Sequence, residues 1–447
     1  MRVLLVSTNQ LGPSRECRWV PVEPLGLAYL AASVRRAGHE VSLLDLCFVP
    51  DTAAAVRDAV RRFDPEVIGV SFRNIEMMAY FRNTAFREDL CTVITLCREH
   101  SDAPVVLGGS GFSVMPLPLM QFTGADIGIV GEGEWNFPAL LAGLENKSDI
   151  SGIPGTVRIV NGDPRFNPPD HAGDIAALPV PARELIDHGR YAGSGGSANI
   201  QTKRGCPFNC IYCTYPLVEG SRMRCRPPED VAAEFRLLYE RYGARDAYVV
   251  DNQFNHPLDH AKAVCTEWLA MRDEVKIWWT CMLNPGYIDD DLVFMLRASR
   301  CAMVDFGIES ATDAVLRALG KNYTREDIGR AVGLFGKYSL PFSIWVLFGG
   351  PGETEGTVRS TVEFLDRIEV PRVLFSVGIR VCPGTAIERM MRDRGAIAAA
   401  DDLLEPVFHC TPDAETIAGI VEPYCTGREG WQIAAFRHPG VPENGAP

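Results

Sequence analysis

Short apolar runs alternate with longer amphipathic segments along the first 150 or so residues. The apolar runs have strand length, whereas the segments between them, such as 52–63 and 87–99, carry apolar residues at helical spacing. The runs are 2–7, 41–46, 67–72, 105–107 and 127–130. Alternation of this kind predicts a parallel sheet with helices on both faces, which binds ligands at the carboxyl ends of its strands.

The same alternation resumes in the second half of the chain. Six further apolar runs have strand length, at 198–203, 246–251, 277–282, 302–307, 342–347 and 374–381. Six successive strand and helix units predict a barrel or partial barrel with its active site at the carboxyl ends of the strands.

A proline-rich segment separates the two halves. Residues 164–196 hold prolines at 164, 168, 169, 179 and 181 and end in a run of glycine and serine. Such composition is typical of a linker. The predicted division is therefore a first domain at 1–163, a linker at 164–196, a second domain at 197–395 and a small helical cap at 396–447.

Glycines follow two of the strands predicted for the first domain. Gly108 and Gly109 follow one strand, and Gly131-Glu132-Gly133-Glu134 follows the next. Glycine lets the backbone approach a ligand closely and exposes its amides, which favours a binding site. Tight turns are the alternative interpretation of the same composition.

Three cysteines follow the first strand of the predicted barrel. Cys206, Cys210 and Cys213 form Cys-x-x-x-Cys-x-x-Cys, so that three soft thiolates on one loop fit three corners of an iron-sulfur cube and leave one iron open. A zinc site requires a fourth ligand, and the next cysteine, Cys225, has no partner beside it. Structural disulfides are disfavoured because 14 cysteines in 447 residues is not a dense scaffold.

Composition narrows the class of protein. The chain has 447 residues, 47% hydrophobic and 23% charged, which is typical of a globular protein of two or three domains. Its apolar stretches are shorter than the roughly 20 residues that span a bilayer, so we expect a cytoplasmic protein without a membrane partner. The net charge of -13 argues against a nucleic-acid partner.

The cysteine motif, with Tyr212 just before its last cysteine, resembles the radical S-adenosylmethionine (SAM) superfamily. Later motifs agree in order: Asp251-Asn252, Gly307-Ile-Glu-Ser310, Gly349-Gly-Pro-Gly-Glu-Thr354 and Arg380-Val-Cys-Pro-Gly-Thr385. Together with the first domain they resemble the subgroup of methyltransferase-like enzymes in which a cobalamin-binding domain precedes the radical SAM barrel. The resemblance covers residues 1 to about 395.

The resemblance implies an α/β fold: a Rossmann- or flavodoxin-like cobalamin-binding domain, a partial (β/α)6 radical SAM barrel and the short helical cap. It also implies that Cys206, Cys210 and Cys213 hold a 4Fe-4S cluster whose open iron binds SAM. The residues that it places against SAM are Tyr212, Asp251, Asn252, Glu309, Ser310, Gly349 and Gly350. Asp251 and Asn252 also fit a helix cap, and the glycines also fit simple turns.

For cobalamin, the resemblance implies contacts from the two glycine-rich turns, at Gly108, Gly109, Gly131, Glu132, Gly133 and Glu134. The motif that supplies a histidine to cobalt in many cobalamin proteins, Asp-x-His-x-x-Gly, is missing. Arg73 and Asn74, at the end of the third strand, are similar to a segment of some cobalamin-dependent methyltransferases. Our hypothesis is that Arg73 lies near the lower face of cobalt; a surface or salt-bridged arginine is the alternative.

The implied function is methylation of a carbon or phosphorus centre of a small molecule or natural-product intermediate, as in antibiotic biosynthesis, through methylcobalamin and a 5'-deoxyadenosyl radical. An external electron donor such as flavodoxin or ferredoxin is the implied partner.

Rearrangement or cyclisation without methyl transfer is the alternative to methylation. A transfer RNA methylthiotransferase is disfavoured because the extra cluster cysteines and the basic tail are missing. A non-catalytic cobalamin sensor is disfavoured because an open iron is a costly component for a sensor.

Overall fold

The first half of the chain folds into one seven-stranded sheet. The computed structural model describes residues 1–8, 20–77, 80–82, 85–171 and 173–434. The strands lie in the order β2-β1-β3-β4-β5-β6-β7, in which β1 to β5 are parallel and β6 and β7 are antiparallel additions. The strands are β1 (Arg2–Ser7), β2 (Glu40–Asp45), β3 (Val67–Ser71), β4 (Val105–Gly108), β5 (Ile127–Ile129), β6 (Thr156–Val160) and β7 (Asp163–Phe166).

Helices cover both faces of this sheet. They are α1 (Leu25–Arg36), α2 (Thr52–Phe63), α3 (Arg87–His100), α4 (Ser110–Val114), α5 (Pro116–Thr123) and α6 (Gly133–Glu145). Alternate residues of β1 enter different cores: Leu4 and Val6 pack on the side of α2 and α3, whereas Val3 and Leu5 pack on the side of α1 and α6. Burial on both faces explains why the strand is an unbroken apolar run.

The second half of the chain builds a parallel, open barrel sheet in the order β18-β15-β14-β13-β12-β11-β8. Two short hairpins, β9 with β10 and β16 with β17, lie outside it. The strands are β8 (Ala198–Ile200), β9 (Lys203–Arg204), β10 (Arg224–Cys225), β11 (Asp246–Val249), β12 (Trp278–Met282), β13 (Cys301–Gly307), β14 (Phe342–Phe348), β15 (Val373–Val377), β16 (Ile379–Arg380), β17 (Phe408–His409) and β18 (Trp431–Ile433).

The helices of the second half lie mainly on the outside of the barrel, where residues such as Phe306 and Phe348 are fully buried. They are α7 (His188–Gly193), α8 (Tyr215–Glu219), α9 (Pro228–Glu240), α10 (Leu258–Ala270), α11 (Asp290–Ala298), α12 (Asp313–Ala318), α13 (Arg325–Lys337), α14 (Glu355–Arg367), α15 (Ala386–Asp393) and α16 (Ala414–Cys425).

The predicted fold class is confirmed, with three differences in detail. The first sheet runs on to Phe166 through β6 and β7, past the predicted boundary at 163. Two predicted strands are divided: the one at 198–203 between β8 and β9, and the one at 374–381 between β15 and β16. The region predicted as a helical cap contains α16, which packs against α14, and also β18, which adds a seventh strand to the barrel sheet. Residues 435–447 of that region lie outside the described residues.

A buried ionic network joins the two halves through the proline-rich segment. Arg183, fully buried, contacts Glu23 of the first half at 3.3 Å and Glu234 of α9 at 2.6 Å. His188 contacts the other carboxylate oxygen of Glu23 at 2.6 Å, and Arg226 contacts Glu234 at 2.7 Å. Buried charges require partners of this kind, so the network fixes how the two sheets face each other.

Candidate active site

The cysteine loop lies between β9 and α8, at the carboxyl end of the barrel. Its backbone is held at both ends: Cys206 donates its N–H to the carbonyl of Gly220, and Ile211 donates to the carbonyl of Leu319, each at 3.1 Å. Gly205, with φ of +91°, precedes the first cysteine, and a Cβ there would lie 2.1 Å from the carbonyl oxygen of Arg222. Only glycine permits this close approach of two backbone segments.

The three thiols fit an iron-sulfur cluster. Burial raises the pKa of the Cys206 thiol and raises that of Cys213 to about 12, and the neighbouring cysteines of the loop add to both shifts. All three thiols are free. Burial disfavours the thiolate form of Cys206 and Cys213, and bound metal cations would stabilise it. No three His, Cys, Asp or Glu side chains among the described residues form a single-ion site. A cube takes each thiolate on a different iron, so this donor set suits it.

Tyr212 belongs to a buried triad beside the cysteines. Its hydroxyl donates to Glu309 Oε1 and accepts a hydrogen bond from Lys321 Nζ at 2.8 Å, while Lys321 also pairs with Glu309. The sequence did not point to Lys321, which lies in the loop after α12. The other carboxylate oxygen of Glu309 is buried without a hydrogen-bond partner. A buried acceptor left open in this way suits a ligand that donates a hydrogen bond.

The other side chains predicted to contact SAM already have hydrogen-bond partners within the protein. Asp251, which is 4% exposed, accepts hydrogen bonds from the Thr202 N–H at 2.8 Å and from Lys203 Nζ at 2.9 Å. Asn252 donates to the carbonyl of Gly205 at 3.0 Å, and Ser310 is fully buried against Thr361. These side chains support the cysteine loop and its surroundings, and their contact with SAM stays a prediction.

The glycine loop after β14 is tied to the carboxyl-terminal hairpin. Gly349 donates its N–H to Glu353 at 2.8 Å, and its carbonyl accepts from His409 at 2.8 Å. A Cβ on Gly350 would lie 2.8 Å from Leu319, next to the cysteine loop. Burial raises the pKa of Glu353 to about 7, and its second carboxylate oxygen is buried without a partner. The loop therefore lies beside the cysteine loop, and its contact with SAM stays a prediction.

A cavity of about 560 Å³ joins this region to the first sheet. Its barrel side includes Tyr215 and Glu219 of α8, directly after the last cysteine, and its other side includes Ser7 and Ser71 at the ends of β1 and β3. Every residue predicted to contact cobalamin lines it: Arg73, Asn74, Gly108, Gly109, Gly131, Glu132, Gly133 and Glu134. Cavities between two domains are common places for cofactor and substrate sites.

Arg73 and Arg204 are the two arginines among the residues that line this cavity. The side chain of Arg73 is exposed, as the surface alternative predicts, and Tyr215 of α8 lines the same cavity. Among the described residues no carboxylate lies within salt-bridge distance of the Arg73 guanidinium. The salt-bridged alternative for Arg73 is therefore not observed, and its place near the lower face of cobalt stays a prediction.

The two glycine-rich turns have structural partners that the sequence did not reveal. A Cβ on Gly109 would lie 2.6 Å from the carbonyl oxygen of Phe72, so this turn packs against the backbone that leads to Arg73. Glu132 pairs with Arg224 and Glu134 with Arg204, each at 2.6 Å, and all four side chains are buried. The carboxylates thus connect the first sheet to the β9–β10 hairpin that carries the cysteine loop.

Two family descriptions match the chain. Residues 17–141 match the B12 binding domain, and residues 200–365 match the Radical SAM superfamily. The chain is 28% identical to tryptophan 2-C-methyltransferase of Streptomyces laurentii, over 88% of this chain and 74% of that protein. It is 27% identical to an uncharacterized methyltransferase of Pyrococcus horikoshii, over 87% and 82% of the two chains.

Among solved structures, the fold is similar to that of the radical SAM methyltransferase TsrM of Kitasatospora setae with tryptophan substrate and a SAM analog bound. The TM-score is 0.84 at 26% identity, and the match covers 96% of this chain and 90% of that one. No helix within the described ranges has the length and apolar character needed to span a bilayer.

Proposed function

We propose that this chain, which belongs to the cobalamin-dependent radical SAM enzymes, methylates a carbon or phosphorus centre of a small molecule. Its cofactors are a 4Fe-4S cluster, SAM and cobalamin, consistent with the two matched families. The similarity to tryptophan 2-C-methyltransferase favours a carbon centre on an aromatic or amino-acid-like substrate.

The residues have separate parts in this proposal. Cys206, Cys210 and Cys213 hold the cluster, and the open oxygen of Glu309 with the Gly349 loop binds SAM. Arg73 and the glycine-rich turns hold cobalamin. When bound, the reduced cluster cleaves SAM and cobalamin carries the methyl group, so the protein has to align the reagents and exclude water.

One observation carries the proposal: residues of both domains line the same cavity. Tyr215 lies two residues after the last cluster cysteine, and Arg73 lies at the end of β3, yet both line the same interior space. A substrate placed there lies between the cluster side and the cobalamin side. This arrangement favours group transfer between two cofactors over a site for one of them alone.

We also propose an electron donor for the cluster and a cellular location for the protein. The cluster requires electrons, for which flavodoxin or ferredoxin is a suitable donor, and free thiols persist in the reducing cytoplasm. Both statements rest on the chemistry of the cluster.

The test is anaerobic reconstitution with iron, sulfide and cobalamin, followed by incubation of tryptophan and other candidate aromatic substrates with SAM that bears a trideuteromethyl group. We expect a product that gains the intact trideuteromethyl group, detected by mass spectrometry. Cys213→Ala, which removes one cluster ligand, should abolish the product, whereas Cys225→Ala, outside the motif, should leave it unchanged.

Formation of 5'-deoxyadenosine with altered substrate but no gain of deuterium would instead establish the rearrangement or cyclisation alternative. Cobalamin binding without any turnover of SAM, across the substrates, would contradict enzymatic function and favour a sensor.

A further inference from the structure

A network of side-chain amides lies beside the cysteine loop. Gln253 follows β11, Asn284 follows β12, and Asn322 lies in the loop after α12. Gln253 and Asn284 are only 6% and 8% exposed. The network begins at Cys206, whose sulfur lies 3.5 Å from the side-chain nitrogen of Gln253. None of these amides belongs to the motifs by which the sequence resembles its family.

A backbone group fixes the orientation of the Asn284 amide, and Asn284 in turn fixes that of Gln253. The N–H of Gly286 is purely a donor and lies 2.9 Å from one side-chain atom of Asn284, which must therefore be the oxygen, Oδ1. The NH2 group of Asn284 then faces Gln253, 2.9 Å from its Oε1. Because the oxygen of Gln253 is used there, its own NH2 group faces the sulfur of Cys206. Three contacts between heavy atoms thus identify the side-chain nitrogen of Gln253 as the donor to the sulfur, and no hydrogen position has to be known.

Neighbouring groups hold Gln253 in place. Its backbone carbonyl accepts a hydrogen bond from the ammonium of Lys203, which also pairs with Asp251 at 2.9 Å. Asn255, fully buried, accepts from the N–H of Asn284 and donates to its carbonyl, each at 2.8 Å. The donor is therefore preorganised before any cofactor binds.

We propose that Gln253 donates a hydrogen bond to the cluster-ligating sulfur of Cys206 and thereby raises the reduction potential of the cluster. The inference rests on the part of the proposed function that assigns the cluster to the three cysteines. Reduction adds negative charge that is shared with the ligand sulfurs, so an N–H dipole aimed at a sulfur stabilises the reduced form more than the oxidised form. Gln253 acts through Cys206 and is a positioning residue, not a catalytic one.

The test is a redox titration of the reconstituted cluster, followed by electron paramagnetic resonance, without SAM or substrate. Gln253→Met has similar length and no N–H donor. At a fixed applied potential we expect its ratio of reduced to oxidised cluster to fall about tenfold, which is about 59 mV for a one-electron couple. Asn322→Leu is the matched control: it removes another partner of Asn284, has no contact with the sulfur, and should leave the potential unchanged.

A second measurement does not depend on the variant loading its cluster. Wild-type protein that carries 15N in its glutamine side chains should show coupling between the 15N nucleus and the reduced cluster in pulsed magnetic resonance. Absence of that coupling, or an unshifted potential in fully loaded Gln253→Met, overturns the inference. Because neither measurement involves methyl transfer, a shifted potential in an enzyme that yields no methylated product would overturn the proposed function alone.

Discussion

At the scale of single residues, the site is dominated by charges that are buried and paired. Lys321 and Glu309 pair beside the cysteines, and Asp251 pairs with Lys203. Glu353 differs from these pairs: no cation lies within salt-bridge distance of it among the described residues, one of its carboxylate oxygens has no hydrogen-bond partner, and burial raises its pKa to about 7. A buried carboxyl that resists ionisation makes folding stability depend on pH.

Glu353→Gln should therefore remove a loss of folding stability that grows with pH. Below pH 4.5, the usual pKa of the group, both folded and unfolded chains hold the proton, and Glu353 adds no pH dependence. As pH rises toward 7 the unfolded chain ionises and the folded chain does not, so wild type loses stability. Raising the pKa from 4.5 to about 7 corresponds to about 3 kcal/mol.

Denaturant unfolding at pH 5 to 8 measures this effect. The gap in unfolding free energy between Glu353→Gln and wild type should widen in favour of the variant as pH rises, and level off above pH 7. Glu355→Gln, an exposed neighbour at the start of α14, should keep a constant gap. A pH-independent gap for Glu353→Gln would show that this carboxyl ionises normally in the folded protein.

Sequence alone predicted the cluster ligands but not the partners that position them. The three cysteines are recognisable because metal ligation requires a residue type at a fixed local spacing. Arg204, Arg224 and Lys321 act through carboxylates 12 to 92 residues away, as in the pairs with Glu309 and Glu132. Such contacts depend on tertiary packing, and no local pattern encodes them. The sequence likewise predicted Asp251 as a SAM ligand without revealing that Lys203 already holds it.

At the scale of elements, the cysteine loop depends on the hairpin formed by β9 and β10. Gly205 lies where the hairpin passes into the loop and touches the backbone of Arg222. Its N–H also donates to Glu219 at 3.1 Å, which ties the start of the loop to α8. The position of Cys206 is therefore set by a contact that leaves no room for a side chain.

Gly205→Ala should displace the loop and reduce cluster loading. The added Cβ meets a backbone carbonyl that cannot rotate away, so we expect iron and sulfide content to fall several-fold after reconstitution. Gly195→Ala is the matched control, because Gly195 has φ of +84° but nothing within 4 Å of its Cβ position. Equal loading of the two variants would mean that left-handed strain alone, of about 1 kcal/mol, is the only effect at position 205.

Strand prediction succeeded where an unbroken apolar run marks the strand. All five parallel strands of the first sheet and the six predicted barrel strands are present. β18 was missed because three residues, Trp431 to Ile433, are too short to carry a period-two pattern. β7 was missed because its four residues are all exposed and include Pro164, which argues against a strand.

At the scale of the whole molecule, the two sheets are held by charges as well as by apolar contacts. Arg183 of the linker pairs with a carboxylate from each half, and all three side chains are at most 1% exposed. Removal of one partner from a buried network leaves the others as uncompensated charges. Arg183 is therefore one of the buried cations that hold the two domains in their relative position, together with Arg204 and Arg224.

Arg183→Leu should destabilise the protein by about 3–5 kcal/mol, because Glu23 and Glu234 lose a buried partner. Arg35→Leu offers a control at the same interface: Arg35 of α1 pairs with Glu184 of the linker, but both side chains are about 40% exposed. We expect that variant to lose less than about 1 kcal/mol.

Chemical denaturation measures both changes, and limited proteolysis of the linker reports whether the domains separate. Similar losses for the buried and the exposed arginine would show that the interface is held by apolar packing instead.

The order of strands in the barrel has a consequence for how the chain is made. β18, the last strand within the described ranges, pairs with β15, which precedes it by more than fifty residues, and it covers one edge of the sheet. During synthesis β15 therefore leaves the ribosome with its outer edge bare, and it stays so until those residues have followed. A bare strand edge invites pairing with other chains. The nascent protein is thus open to misassembly in the interval of translation that separates β15 from β18.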